Sequence, residues 1–228
     1  MTVVVARHRV PATGKAKVKT TRTADSLVCL EVEPVTFAQL WASYPDESNP
    51  HKNANYKNQC AIRLSIALHG VEVDMRSFSE RTVPKMPGKK QLGRDVYRKP
   101  GKKPREPDKP VALRAYEMAT WLKQRPQFCG MPAKPEDITG KDWQTKVRGR
   151  TGIIYFFGYW RQEGDSGGQL TGGHIDLWNG SRLTITSPLG AIYTMGRWAG
   201  IRTAFVPFTN IGYSDLGASV EILFWEIK

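Results

Sequence analysis

A run of β-branched and aromatic residues at 151–160, TGIIYFFGYW, most constrains the fold of this chain. Residues of these types favour strands, and a nearly continuous apolar run of this length is typical of a strand that is buried on both faces. The run therefore predicts the centre of a sheet that has no solvent-facing side.

Helices are predicted before this strand. Apolar residues recur with helical spacing in three earlier segments, one that Thr36 is suited to cap, one at 58–70 and one at 111–123. Strand-like composition returns after 160, at 172–178 and 219–227. Helices that precede strands indicate an α+β fold, in which the N-terminal helices pack on a mostly antiparallel sheet.

Charge is distributed unevenly along the 228 residues, whose formal net charge is +13. Residues 1–23 carry six basic side chains and no acidic one, whereas residues 81–115 carry twelve basic and three acidic side chains. Both segments are rich in Pro, Gly, Thr or Lys and poor in apolar residues, which favours solvated chain. We therefore predict one domain, 34–228, with a flexible basic leader, 1–33, and a basic Pro/Lys-rich insertion at about 81–110.

The two basic segments also favour attraction to a polyanion, either a nucleic acid or an anionic cell envelope. The insertion contains a single aromatic residue, Tyr97, so base stacking and nucleic-acid recognition are weakly supported. The sequence has no run of about eighteen apolar residues, so no transmembrane segment is predicted. The apolar stretch at 3–6 is too short for a signal peptide.

Three cysteines, Cys29, Cys60 and Cys129, are too few for a disulfide framework. A bridge between Cys29 and Cys129 that leaves Cys60 free is compatible with this count. The sequence has no CxxC or CxxH spacing, so it predicts no zinc site and no other cofactor.

Cys60 and His174 together have the properties of a cysteine hydrolase site. Cys60 lies at the start of the predicted helix 58–70, where the partial positive charge of a helix N-terminus stabilises a thiolate. His174 lies in the predicted strand 172–178, from which an imidazole can take the thiol proton and return it to a leaving amine. Each residue alone is more often part of a core, but the pair predicts acyl transfer through a thiol.

A third group is needed to orient His174, and Asp176 is the first candidate. It lies on the same face of the strand, although two positions span about 6.6 Å, which is a long reach for a short side chain. A weaker strand predicted at 182–186 offers hydroxyl groups as alternatives, on Thr184, Thr186 and the following Ser187.

The start of the cysteine helix is expected to stabilise the oxyanion of acyl transfer. The backbone N–H of Cys60 is one donor, and the side chain of Gln59 or Asn58 is the other. His51 and His69 lie near Cys60 in sequence but are poorly suited to act as the base. His51 is in a predicted loop, and His69 ends the same helix, about 13 Å away along its axis.

Several segments resemble the fourth family of type VI secretion amidase effectors. They are NQCAIRLSIALHGV (58–71), ALRAYEMATWL (112–122), GRTGIIYFF (149–157), GGHIDLWNG (172–180) and ILFWEI (222–227). The resemblance runs from about residue 36 to the C-terminus. It implies a papain-like cysteine hydrolase, related in architecture to the NlpC/P60 peptidases, with Cys60 as the nucleophile and His174 as the base.

The same resemblance implies a substrate and partners. Family members cleave the bond between γ-D-glutamate and meso-diaminopimelate in the stem peptides of bacterial peptidoglycan. The resemblance implies that type VI secretion machinery carries the protein from the producer's cytoplasm into the periplasm of a rival, where a cognate immunity protein neutralises it. Asp176 matches the HxD pattern of the family, but 183–187 lacks the aspartate that members usually carry one strand after the histidine.

Three alternatives remain open. A cysteine peptidase of the NlpC/P60 kind that acts on a different amide would share Cys60 and His174. A basic nucleic-acid-binding protein would use Cys60 only as a core residue and would perform no catalysis. An inactive relative would keep the fold but lack a residue that orients His174.

Overall fold

The computed structural model describes residues 33–47, 49–53, 55–56, 58–98, 108–162, 165–184, 204–205, 212–213 and 215–228. The helices are α1 (Phe37–Ala42), α2 (Cys60–Gly70), α3 (Ala115–Lys123) and α4 (Trp143–Lys146), with a 3-10 turn at Leu216–Ala218. The strands are β1 (Arg94–Tyr97), β2 (Lys109–Ala112), β3 (Glu136–Asp137), β4 (Gly152–Trp160), β5 (Gly172–Trp178), β6 (Ala204–Phe205), β7 (Gly212–Tyr213) and β8 (Glu221–Glu226).

The main sheet has the strand order β3-β8-β4-β5, and all its described pairs are antiparallel. β4 lies inside this sheet and is buried along most of its length, as its composition predicts. One face of β4 packs, through Ile153 and Tyr155, against the core formed with the helices. The other face packs, through Ile154 and Phe156, against a second core that includes Trp143. The predicted α+β fold, with N-terminal helices packed on an antiparallel sheet, is confirmed.

α1 and α2 form where their sequence patterns predict them. Thr36 caps α1 in a capping box, because its hydroxyl accepts from the N–H of Gln39 and the Gln39 side chain accepts from the N–H of Thr36. α2 begins at Cys60 and buries Leu64 and Leu68, so the apolar repeat of the sequence is its core face. α2 and α3 both contact β5, which has a strand partner on one side only among the described residues.

The basic insertion differs from the prediction of one long loop followed by a helix at 111–123. β1 and β2 pair as an antiparallel hairpin, and α3 begins three residues after β2 ends. Two buried side chains of α2 stabilise β2: the Ser65 hydroxyl accepts from the N–H of Ala112 at 3.1 Å, and His69 Nε2 lies 2.6 Å from the Pro110 carbonyl. The strands are polar and contain a proline, so tertiary contacts rather than local composition specify them.

A buried carboxylate holds the segment before this hairpin against α3. Glu117 accepts from the N–H groups of Met86 at 3.0 Å and Gly93 at 2.8 Å, and from the Arg114 guanidinium at 2.8 Å. These donors satisfy an acid whose side chain is 0% exposed. Glu117 therefore fixes the path of the chain that leads into β1.

Parts of the predicted organisation fall outside the described residues. These include residues 1–32 of the predicted leader and the chain between 184 and 204, so the domain boundaries stay a prediction. Cys129 is disulfide-bonded and Cys60 is a free thiol, as in the bridge that the cysteine count allows, while Cys29, the third cysteine, lies in the undescribed part. In the described ranges, no helix is both long and apolar enough to cross a membrane.

Candidate active site

Cys60 and His174 meet at the edge of the main sheet. Cys60 is the first residue of α2, and α2 packs along β5, the strand that carries His174. The thiol and the imidazole are hydrogen-bonded, and the thiol also interacts with the backbone of Ile175. The fold thus brings together the two residues that the sequence singled out, 114 positions apart.

Asp176 completes a row of three polar side chains. Its Oδ2 lies 3.3 Å from His174 Nε2. The Asp176 side chain is 5% exposed and that of His174 is 27% exposed, so the carboxylate is buried beneath a partly accessible imidazole. The two side chains leave β5 on the same face, and they lean together enough to close the distance that separates their positions along the strand.

The second carboxylate oxygen of Asp176 has two donors. Its Oδ1 accepts from the N–H of Leu177 at 2.8 Å and from the Thr184 hydroxyl at 2.5 Å. Thr184 is one of the three hydroxyl residues that the sequence offered near the site, and it contacts Asp176. Thr186 and Ser187 lie outside the described residues.

A tight turn after β5 brings Thr184 back to Asp176. Asn179 Oδ1 accepts from the N–H groups of Ser181 at 3.1 Å and Arg182 at 2.9 Å, and Gly180 adopts a φ of 93°, which favours glycine. The weak strand predicted at 182–186 is limited, within its described residues, to a single bridge between Leu183 and Trp178. The turn is therefore what positions Thr184.

The contacts of Cys60 and His174 shift the pKa values of both groups. Burial alone raises the pKa of the Cys60 thiol, but the hydrogen bond and the charge of His174 outweigh burial and lower it. Burial alone lowers the pKa of His174, but hydrogen bonds with Asp176 and Cys60 outweigh it and raise this pKa to about 9. Opposite shifts of this kind favour a thiolate–imidazolium pair at neutral pH.

Gln59 and Asn58, the two side chains expected to supply a second oxyanion donor, directly precede Cys60 at the start of α2. Gln59 is buried, and its amide nitrogen donates to the Asn49 side chain and to the Tyr56 carbonyl at 3.2 Å. Asn58 is exposed. The amide of Gln59 therefore stabilises the loop that leads into α2, whereas the N–H groups of the first turn of α2 have no acceptor within the helix.

His51 and His69 both contact groups other than the Cys60 thiol. His51 Nε2 lies 3.1 Å from the Val96 carbonyl and 3.5 Å from a carboxylate oxygen of Asp95. His69 contacts Pro110, as described for the hairpin. Among the described residues, no group of three or more His, Cys, Asp or Glu side chains is arranged to hold a metal ion.

Tyr44 is a neighbour of the site that the sequence analysis missed. Its hydroxyl is buried within reach of Thr184 but makes no hydrogen bond of normal geometry. Burial, and then the negative charge of Asp176, raise the pKa of Tyr44 well above its usual value, so the phenol is neutral. Tyr44 follows α1 by two residues, and only the packing of α1 against the turn after β5 could have indicated this position.

A bulge in β4 places the Trp160 indole against Gly172 of β5. The β4–β5 register shifts between Phe157 and Trp160, and Gly158 adopts a φ of +74° within this bulge. Trp160 then lies opposite Gly172, where an added Cβ would come within 2.4 Å of the indole ring. Because positions 172 and 174 share one face of β5, Trp160 lies over the face of the strand that carries His174, and Phe156 is the aromatic ring recorded against the imidazole, with ring centroids 6.5 Å apart.

A protein-family model matches most of this chain. A family model described as "Type VI secretion system (T6SS), amidase effector protein 4" (Tae4) matches residues 56–225. A comparison with curated proteins gave no significant match.

Solved structures of Tae4 effectors are distantly similar to this chain. Tae4 from Salmonella typhimurium in complex with the immunity protein Tai4 from Enterobacter cloacae is 18% identical, with 86% of this chain and 99% of that chain covered and a TM-score of 0.46. Tae4 from Enterobacter cloacae is 18% identical, with 86% and 98% covered and a TM-score of 0.43.

The family assignment rests on the family model, because the structural similarities are too distant to support an argument of their own. The matched range, 56–225, includes Cys60, His174 and Asp176 and agrees with the family that the sequence segments resemble. The chain belongs to the family of type VI secretion amidase effectors described as amidase effector protein 4.

Proposed function

We propose that this amidase effector is a cysteine hydrolase that cleaves the bond between γ-D-glutamate and meso-diaminopimelate in peptidoglycan stem peptides. The observation that carries the proposal is the hydrogen-bonded pair of Cys60, at the N-terminus of α2, and His174, on β5. A thiol in this setting has no need of a cofactor to become nucleophilic. The resemblance to the fourth amidase effector family supplies the identity of the bond.

In the proposed first step, the Cys60 thiolate attacks the γ-carbonyl carbon of the D-glutamyl residue. The carbonyl π-electrons move to oxygen and form a tetrahedral oxyanion. The backbone N–H of Cys60 is free of intrahelical acceptors and donates to this oxyanion, with the positive end of the α2 dipole behind it. The Gln59 amide has no part in this step because it is bound within its own loop.

In the second step, the oxyanion collapses and the C–N bond breaks. The His174 imidazolium protonates the departing amine of diaminopimelate and leaves a thioester on Cys60. Because His174 Nε2 faces Asp176, the opposite ring nitrogen, Nδ1, exchanges this proton. Neutral His174 then takes a proton from water, the resulting hydroxide attacks the thioester, and the D-glutamyl carboxylate is released as the thiolate–imidazolium pair re-forms.

The proposed route to the substrate follows from the family and from the resemblance. Type VI secretion would carry the protein into the periplasm of a target bacterium, where peptidoglycan is exposed. A cognate immunity protein would protect the producer from its own effector. Solved complexes of Tae4 with Tai4 give the precedent for such a partner.

Digestion of purified diaminopimelate-type peptidoglycan tests the proposal. Mass spectrometry of the soluble fragments should find new diaminopimelate residues with a free amino terminus and matching fragments that end in D-glutamate. The Cys60→Ala protein, shown to be folded, should yield neither. Cleavage at a different amide would overturn the assigned bond, and equal digestion by Cys60→Ala would overturn the thiol mechanism.

A further inference from the structure

The two oxygens of the Asp176 carboxylate have different partners. Oδ2 faces His174 Nε2 at 3.3 Å, whereas Oδ1 accepts from Leu177 and Thr184 at 2.8 and 2.5 Å. We propose that Thr184 is a positioning residue, whose hydroxyl fixes the Asp176 carboxylate in the orientation that directs Oδ2 at His174. The proposal rests on the proposed function, because it assigns a role within the same site.

Asp176 needs such a support because its contact with His174 is long. Charge-assisted hydrogen bonds between nitrogen and a carboxylate are typically about 2.7–2.9 Å. The 3.3 Å contact of Asp176 is longer, so a modest rotation of the carboxylate would break it. Two donors on Oδ1 resist that rotation. The backbone donor, Leu177, is adjacent to Asp176 in the chain, so Thr184 is the donor that a side-chain substitution can remove.

Thr184 is itself held by three independent contacts of its turn. The Asn179 side chain accepts from the N–H groups of the turn, as described above. Leu183 is buried in the second core and bridges to Trp178. The Arg182 guanidinium lies 5.3 Å from the centre of the Trp41 ring, which anchors the turn to α1. The hydroxyl is therefore presented by a preorganised segment, as a positioning role requires.

The charged and titratable groups around Asp176 come from several elements. His174, Cys60 and Tyr44 interact with it, and the Arg63 guanidinium of α2 acts on the same Tyr44 phenol. The Tyr44 phenol is neutral and makes no hydrogen bond of normal geometry. Among the described residues, the donors to Oδ1 are thus the Leu177 N–H and the Thr184 hydroxyl.

The test measures how fast iodoacetamide alkylates Cys60 in the intact chain as a function of pH. Mass spectrometry assigns the label to Cys60, so other thiols do not contribute. In Thr184→Val, which keeps the shape but removes the donor, His174 should hold its proton less firmly. The midpoint of Cys60 alkylation should then rise by about one pH unit, so that the rate below the midpoint falls about tenfold.

Two matched variants separate positioning from a general structural effect. Thr184→Ser restores the hydroxyl and should return the alkylation profile to within about twofold of wild type. Thr151→Val removes a comparable hydroxyl, which donates to the Ile227 carbonyl at 2.6 Å on the side of the chain that follows β8, and should leave the profile unchanged. If Thr184→Val fails to fold, the comparison of Thr184→Ala with Thr184→Ser replaces it, with the same expected shift.

A Thr184→Val or Thr184→Ala profile that superimposes on wild type would overturn the positioning role. The same conclusion would follow if Thr184→Ser shifted the profile as much as Thr184→Val does. Alkylation needs no substrate, so this outcome is independent of the amidase assay. A shifted profile in a protein whose wild type does not digest peptidoglycan would support the role of Thr184 and refute the proposed function.

Discussion

Asp176 at the candidate active site and Glu117 on α3 are both buried acids, but their surroundings differ. Glu117 is contacted by two backbone N–H groups and by Arg114, whose positions are fixed by the chain around them. In the described part of the chain, Asp176 is held through Oδ1, and its other oxygen faces His174, a titratable group whose pKa is raised to about 9.

This difference separates an acid that supports the fold from an acid that can support chemistry. All the identified partners of Glu117 are donors whose protonation does not change between pH 5 and 9, so its substitution should change stability. The Asp176–His174 contact depends on protonation, so substitution of Asp176 should change the reactivity of Cys60 more than the stability of the protein. The following substitutions test that separation.

Substitution of His174 should have the largest effect. His174→Gln removes the group that lowers the pKa of Cys60 and that protonates the leaving amine. We expect kcat/KM on peptidoglycan fragments to fall at least about 10⁴-fold, since loss of a member of a catalytic unit has effects of this order. Thermal unfolding should change little, because the His174 side chain is partly exposed at the sheet edge. Activity within tenfold of wild type would remove His174 from the mechanism.

Substitution of Asp176 should come next. Asp176→Asn keeps the shape but removes the charge that helps to raise the pKa of His174. We expect kcat to fall between about 10²- and 10⁴-fold while KM stays nearly constant, because orientation of the base matters in the transition state. Steady-state kinetics measures both constants. A change confined to KM would indicate that Asp176 contacts the substrate instead.

Substitution of Glu117 should have the opposite result, with a large change in stability and none in the reactivity of Cys60. Glu117→Gln replaces one carboxylate oxygen by an amide nitrogen, which donates and cannot accept, in a site with 0% exposure, and it leaves Arg114 without its charge partner. We expect about 2–4 kcal/mol of destabilisation by urea unfolding. The alkylation profile of Cys60 in the folded protein should stay unchanged. A shift of that profile would mean that the two regions are coupled and that the comparison fails.

Substitution of an exposed acid, Glu221, should have the smallest effect on stability. Glu221 pairs with Lys123 at 2.9 Å, and both side chains are more than a third exposed. Glu221→Gln should change the free energy of unfolding by about 0.5 kcal/mol or less, because solvent screens such a pair. Urea unfolding beside Glu117→Gln makes the comparison direct. A loss as large as that of Glu117→Gln would show that burial does not distinguish these acids.

The sequence predicts those parts of the site for which the apolar pattern and the chemistry of the side chains point to the same residues. The helix that begins at Cys60 and the strand that carries His174 both have strong apolar periodicity, so their types and their order along the chain could be inferred. Their contact could be expected because a thiol at a helix N-terminus and a strand imidazole form a known catalytic pair. The α+β class followed from the same elements.

Features that depend on tertiary contacts could not be predicted from the sequence. The contact of Thr184 with Asp176 depends on a turn whose geometry the sequence does not specify. The position of Tyr44 depends on how α1 packs. The β1–β2 hairpin could not be predicted because its strands are charged and short. Contacts with Ser65 and His69 of α2 stabilise it.

The pH dependence of Cys60 alkylation in the wild-type protein, with Cys60→Ala as the control for labelling, tests the central claim most directly. The pKa of Cys60 is lowered and that of His174 is raised to about 9, so thiolate and imidazolium should coexist between these two values. The account predicts rapid alkylation already below pH 7, and loss of this reactivity in His174→Gln. Alkylation that begins only near the pKa of an ordinary thiol, about 8.5, and is the same in His174→Gln would contradict it.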